Sequence, residues 1–218
     1  MSVITISREA GSGGTEIAEA IAKELGYKLV DKLTIVTLLG KYGLVSFSKV
    51  YDNAPAFWDA FDSQKSDQRE AMVAMMNKAF RAIAKRGNAV IVGRGGYVVL
   101  GGFADVLNVR VQAPLEVRAG RLREVLKLAD YGAAEKDTKD RDRVRSLFME
   151  SAYGKKVEPA SAFDLVVNTE KVPEKKAIAL IVELARGLEE ASSGAKNLAS
   201  ALEVDSVLAE AVAEALAD

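Results

Sequence analysis

A chain of 218 residues, 49% hydrophobic and 28% charged, is long enough for one full core, and its ordinary composition excludes disordered, collagen-like and coiled-coil fibre classes. Lys and Arg number 30 against 31 acids, a formal charge of -1, so bulk attraction to nucleic acid is excluded and any bound anion must be met by a local cluster. With no Cys and no His, disulfides, thiolate or imidazole metal sites and Cys- or His-based catalysis are excluded, which leaves carboxylates, Lys, Arg, hydroxyls and backbone dipoles, a set suited to phosphate chemistry.

Val3 to Ile6 is a β-branched run that predicts a strand. Arg8 and Glu9 interrupt it, so it is no signal peptide. No apolar stretch in the chain approaches the roughly 18 residues of a bilayer span. A soluble, cytoplasmic protein without membrane attachment is therefore expected. Next come Gly11-Ser12-Gly13-Gly14-Thr15, then Ile17, Ile21 and Leu25 at spacing four, closed by Gly26. That order reads as strand, glycine loop, amphipathic helix. Lys28 to Val30 predicts a second short strand, and Asp31 is placed to cap a helix carrying Leu33, Val36 and Leu39. Residues 41 to 70 crowd Phe47, Tyr51, Phe57, Trp58 and Phe61 among polar residues and read as a small helical insertion. Gln68 to Lys85 predicts a long helix whose Met72, Met76, Phe80 and Ile83 stripe is core packing rather than chemistry.

Ala89 to Val92 and Val106 to Val111 read as buried parallel strands. Pro114 opens a helix with Val117, Leu122 and Val125. Residues 130 to 148 are highly charged, Phe163 to Val167 is a last strand, and Glu174 to Leu188 a last core helix. Ser192-Ser193-Gly194 marks a linker to an amphipathic helix outlined by Val204, Leu208, Ala211 and Ala215. Strands alternating with helices imply an α/β fold with a parallel sheet covered on both faces. The expected organisation is one domain over 1–190, with the insertion at about 41–70 and a lid at about 130–150, followed by a linker and helix over 191–218. That last helix needs burial, against its own domain or against a second copy in a homodimer.

A glycine turn between strand and helix is a ready anion site, because backbone N–H groups and the helix dipole point the same way. Glycines let the phosphate approach and supply positive φ. Thr15 stands where its hydroxyl caps the helix or binds a magnesium ion. The loop departs from the standard P-loop pattern, since Arg8 occupies the first Gly position and Gly14 the Lys position. Arg8 is the nearest cation able to replace that Lys; otherwise it is a surface ion pair. A Rossmann reading is weaker, because Gly11-Ser12-Gly13-Gly14 lacks the last Gly at the right step, although Asp31 could serve as its acidic marker. Arg94 stands between glycines beyond a strand end, where open α/β sheets bind ligands. Lys136, Asp140 and Arg143 fall at i, i+4 and i+7 on one helix face, a row able to grip both base edge and phosphate. The alternative is a solvated helix supported by pairs four apart.

Several of these motifs coincide in one family. The opening ITISREAGSGGTEIAEAIAKELGYKLVDK, Gly93-Arg94 after the third strand, VRVQAPLEVRAGRL, and Lys136 to Arg143 resemble the cytidylate-kinase-like nucleoside monophosphate kinases. The last segment resembles an R-D-x-x-D-R-x-R lid motif. The resemblance covers residues 1 to about 188. It implies a P-loop fold with a five-stranded parallel sheet, an acceptor-binding insertion and a charged lid. It also implies transfer of the γ-phosphoryl group of ATP, with Mg, to a nucleoside monophosphate, commonly CMP or dCMP. Gly11, Ser12, Gly13, Gly14 and Thr15 would then cradle donor phosphates, with Thr15 as a metal ligand. Asp31, Arg94, Lys136, Asp140 and Arg143 would contact the acceptor, and Arg8, Arg94, Arg141 and Arg143 would neutralise charge during transfer. Three features depart from the family pattern: Gly14 at the Lys position, Lys136 at the first lid Arg, and Gly95 where an acid usually follows Arg94, so that no Mg-binding carboxylate is identified. Two other readings keep the fold: a kinase of another small molecule, and a nucleotide-binding regulator without turnover.

Overall fold

The computed structural model describes residues 2–41, 66–93, 95–155 and 159–217. Five parallel strands, β1 (Val3–Arg8), β2 (Lys28–Val30), β3 (Ala89–Val92), β4 (Val106–Gln112) and β5 (Leu165–Asn168), form one sheet in the order β2-β3-β1-β4-β5. This is the expected P-loop type of sheet. β1 lies at its centre, with Val3 opposite both Ala89 and Val106. The helices are α1 (Gly14–Leu25), α2 (Lys32–Lys41), α3 (Ser66–Arg86), α4 (Gly96–Leu100), α5 (Leu115–Leu126), α6 (Tyr131–Tyr153), α7 (Glu174–Ala191) and α8 (Ser206–Ala215). Most of the expected insertion, 42–65, lies outside the described residues, as does Arg94.

Two cores follow from the alternation of the strands. Ile4 and Ile6 of β1 point to one face with Val90, Val92, Val109 and Val111, where Ile17 and Ile21 of α1 and Ile181 of α7 cover them. Val3, Ala89, Ile91 and Val106 point to the other face, beneath α2, α3 and α8. Met72, Met76, Phe80 and Ile83 form the buried stripe of α3, as their spacing predicts. On this second face the period of two leaves polar side chains near the carboxyl ends of the strands: Thr5 and Ser7 on β1, Asn108 and Arg110 on β4. Thr5 Oγ1 donates to Asn108 Oδ1 at 2.8 Å, and Asn108 N donates to Asp164 Oδ2 at 2.7 Å. The sheet thus has an apolar base and a polar rim.

The tail closes on its own domain. Asp105, 4% exposed at the start of β4, accepts from Ala199 N and Ser200 N and holds the 3-10 turn Ala199–Ala201. Asp205 caps α8 by accepting from Leu208 N. Leu208, Ala211, Val212 and Leu216 then enter the core built by α2 and α3. The apolar stripe read from the sequence is therefore buried within the chain, and Val207 is the large apolar side chain left exposed on this helix. α4 has no counterpart in the sequence reading. Its five residues, Gly-Tyr-Val-Val-Leu, carry strand-like composition, and their burial over β1 decides the helical turn.

Leu208→Ala is expected to lower unfolding free energy by about 2–4 kcal/mol, because the side chain is fully buried between α2 and α3. Urea unfolding checks this, and an unchanged midpoint would show the tail to be loosely held.

Candidate functional site

Between β1 and α1 the chain makes its glycine turn. Gly13 is the N-cap of α1 in the left-handed region at φ 80°, with no side-chain cap. A β-carbon there would meet nothing within 4 Å, so the approach to the turn is open. Ile17 N makes the first bond into the turn, to Gly13 O, which leaves the amides of Gly14, Thr15 and Glu16 ahead of it, facing the loop. These are the groups that receive an anion at a helix start. Thr15 is not the cap; it sits in the first turn, exposed, on a cavity wall. Ser12 is fully buried, and both its Oγ and its N turn inward to Glu9 O, at 2.9 and 3.3 Å. Its role is to shape the loop rather than to contact a ligand through its side chain.

The departures from the P-loop pattern have a steric explanation. A β-carbon on Gly14 would lie 2.5 Å from Arg8 Cβ, and one on Gly93 would collide with the Arg8 guanidinium. The Arg8 side chain therefore leaves β1, passes the first residue of α1 and reaches the loop after β3. A Lys at position 14 would crowd it and force one of the two to shift. Gly95 has the same kind of cause: a β-carbon there would strike the Tyr153 ring. Tyr153 ends α6 and donates to Asn77 Oδ1 of α3 at 3.0 Å, and burial pushes its hydroxyl pKa well up. An aromatic ring of the lid helix fills the space into which an acid at 95 would project.

A cavity of about 820 Å³ opens beside this loop. Its walls come from the carboxyl ends of β1 and β3, from Asp31 and Lys32, from Tyr97 of α4, from Arg110 of β4 and from one side of α6. Asp31 both lines it and caps α2, accepting from Leu33 N at 2.9 Å and Thr34 N at 2.8 Å. Glu19, one turn after Thr15, adds a second carboxylate. Among the described residues no three acids cluster as a preformed metal cage.

α6 presents Asp137, Asp140, Arg141, Val144, Arg145 and Phe148 to the cavity. Of the row expected from the sequence, Asp140 is on this wall, while Lys136 and Arg143 are exposed and off it. The reason is helical phase: packing of α5 and Phe148 turns the 137–141–145–148 side inward, roughly a third of a turn from the face that Lys136 and Arg143 share, with Asp140 at its edge. Arg145 stands where Arg143 was expected. Arg141 lines the cavity and pairs with Asp137 at 2.6 Å. Gly11, Gly13 and Gly14 lie off this cavity, and of the three only Gly13 has open space beside it.

Other site residues have a weaker sequence signal or none. Arg118, 7% exposed, has NH1 on Ala10 O at 3.1 Å and on Asp142 Oδ2 at 2.6 Å, and Nε facing Ala113 O at 2.8 Å and Glu9 Oε2 at 3.2 Å. Asp142 Oδ1 in turn accepts from Ala10 N at 2.8 Å. The lid helix is thereby fastened to the glycine loop. Arg110 pairs with Glu9 at 3.5 Å and lies 5.8 Å over the Phe163 ring. Its signal was present in the sequence, as a cation at the polar parity of an otherwise apolar strand, VLNVRVQ. Among the described residues, no helix is long and apolar enough to cross a membrane.

Comparison with known proteins bears on this geometry. The model of the cytidylate kinase-like family matches residues 3–171. A cytidylate kinase of Ignicoccus hospitalis is 31% identical over 169 residues, covering 78% of this chain and 90% of that protein. A cytidylate kinase of Pyrococcus horikoshii is 30% identical over 187 residues, covering 82% and 85%. Among solved structures, an uncharacterized protein from Eubacterium ventriosum shares the fold with a TM-score of 0.66 at 20% identity, over 85% of this chain and 98% of that one. TT1252 from Thermus thermophilus does so with a TM-score of 0.54 at 16% identity, over 85% and 97%.

The contact between Arg8 and Gly14 gives a reciprocal expectation. Gly14→Lys alone should cost about 1–3 kcal/mol by overpacking. Arg8→Gly combined with Gly14→Lys should recover most of that loss. A single variant as stable as wild type, or a double variant no better than the single, would refute the steric coupling; chemical unfolding of the three proteins decides.

Proposed function

Because this chain belongs to the cytidylate kinase-like family, we propose that it transfers the γ-phosphoryl group of ATP to a nucleoside monophosphate, with cytidylate (CMP or dCMP) as the preferred acceptor. The observation that carries this reading is the position of the cavity. Arg8 and Thr15 of the glycine loop form one wall and the charged side of α6 another, so a donor at the loop and an acceptor in the cavity would meet. Relatives with the printed name cytidylate kinase cover most of the chain, which supports the acceptor class.

The chemistry needs no side-chain nucleophile. An acceptor phosphate oxygen, ionised at neutral pH, attacks the terminal phosphorus of the donor, and the leaving oxygen departs with the diphosphate. The chain's task is to position both and to neutralise spreading charge. The first-turn amides of α1 hold the donor phosphates. Arg8, crossing Gly14, supplies the positive charge that a Lys on α1 would otherwise bring. Arg141 and Arg145 bring charge from the lid side, and their pairs with Asp137 and Asp142 keep them in place before substrate arrives. Arg94, from the resemblance, is assigned to the acceptor phosphate, and Asp140 to an exocyclic amino group of the base. Magnesium fits a donor set made wholly of oxygen: Thr15 would hold the ion together with nucleotide phosphates and water, where it would neutralise phosphate charge, and the same cavity carries the carboxylates of Glu19 and Asp31.

Steady-state ADP release with CMP, dCMP, UMP and AMP tests the reading. Turnover highest with CMP or dCMP is expected, and no release with any of the four would overturn it. Arg8→Ala should lower kcat by about tenfold to a thousandfold at unchanged thermal stability. Arg145→Ala should cost more activity than Arg143→Ala. If the two cost the same, the lid face that meets the substrate is not the one lining the cavity.

A further inference from the structure

Tyr97 is the first large side chain of α4. It is 7% exposed, its ring packs 4.7 Å from that of Phe163, and it lines the cavity opposite α6. Its hydroxyl is buried and has no hydrogen-bond partner among the described residues. A phenol in this position would normally find one, since a buried polar group without a partner costs stability and aromatic hydroxyls almost always satisfy it. The neighbouring Tyr153 shows the usual solution, with its hydroxyl on Asn77. Apolar packing alone would be served as well by Phe. The surroundings state what partner would suit. Arg110 shares the Phe163 ring with Tyr97 and acts on its hydroxyl through its charge. Burial raises the Tyr97 pKa while Arg110 pulls it down, so near neutral pH the group is a protonated donor. Ser7 Oγ, also on the cavity wall, accepts from Arg110 NH1 at 3.3 Å and helps fix the guanidinium.

We propose that the Tyr97 hydroxyl, beside Arg110, is a specificity contact that donates a hydrogen bond to an oxygen acceptor of the monophosphate bound in the cavity. This rests on the reading of the cavity as the acceptor site and adds a residue that the glycine-loop and lid motifs do not contain. The oxygen belongs either to the carbonyl of a pyrimidine base or to the phosphate, and both present the same partial negative charge to a donor next to a cation. A hydroxyl kept unpaired for a ligand has an unusual signature. Its removal should not harm the free protein, but should harm the complex.

Tyr97→Phe removes the hydroxyl and leaves the ring against Phe163. The melting temperature of the free variant should equal or exceed that of the wild type. Its affinity for CMP, titrated by calorimetry without ATP, should fall about tenfold, the loss of one hydrogen bond at a desolvated site. Its affinity for ATP should not change. UMP and AMP distinguish the two oxygens: a base contact weakens CMP and UMP and spares AMP, which lacks a ring carbonyl, whereas a phosphate contact weakens all three alike. Wild type that binds CMP, with a variant that binds it equally well, would overturn the assignment of Tyr97 alone. A lower melting temperature with unchanged CMP affinity would do the same and make the hydroxyl structural. Wild type that binds no monophosphate would overturn the cavity reading and this inference with it.

Discussion

A single buried guanidinium holds the site together. Arg118 is in α5, behind the glycine loop, and its donors converge on four acceptors in three segments: Ala10 O and Glu9 of the loop, Ala113 O after β4, and Asp142 of the lid helix. Hydrogen bonds that involve a charged group contribute about 1.5–3 kcal/mol each. The larger consequence is geometric. Arg is always charged and its planar fork fixes directions, so a buried Arg118 demands that every one of these acceptors stay in place. Asp142 completes the circuit by taking the Ala10 amide. Loop and lid are thus parts of one polar network rather than two elements that happen to be close. Gly11 belongs to the same constraint, since a β-carbon there would lie 2.6 Å from Arg118 O.

Around that anchor, the departures from a standard phosphate loop look like one rearrangement. With Arg8 at the end of β1, a residue without a side chain is needed at 14, and another at 93 where the guanidinium passes. Positive charge is kept near the loop, but it arrives from the strand side and across the cavity wall. Tyr153 acts similarly at Gly95: the lid helix, through its last residues, fills space beside the loop after β3 and ties itself to α3 through Asn77. Both changes couple elements that are distant in sequence.

The residues beyond the matched segment extend the scaffold. Asp105 and Asp205 cap successive short turns of the tail, and α8 lies across α2 and α3. α2 begins at Asp31, on the cavity wall, and α3 carries Asn77, which receives Tyr153. The tail therefore braces the two helices that flank the insertion, on the side of the sheet where the cavity opens. Its apolar stripe supplies the burial that a short helix needs.

The sequence by itself determined the strands, the glycine turn and the cores, because these depend on local order: β-branched runs at period two, apolar residues at spacing four, Gly13 where φ must be positive. It also limited the available groups to carboxylates, Lys, Arg, hydroxyls and backbone amides, since Cys and His are absent. Tertiary structure alone decided which charges face the cavity. Lys136, Asp140 and Arg143 share a helix face on paper, but the inward side of α6 depends on how α5, Phe148 and Arg118 hold it, so Arg141 and Arg145 are turned in and Arg143 out. Tyr97 was hidden for the same reason, and for Arg110 the strand parity gave the side it faces but not its neighbours. Each is a polar group in an apolar segment, and only the assembly of β4, α4 and Phe163 brings them to one wall. Arg8 lay between the two cases. Its place next to the loop was legible, but the reason Gly14 must accompany it is a contact across 2.5 Å that no spacing rule contains.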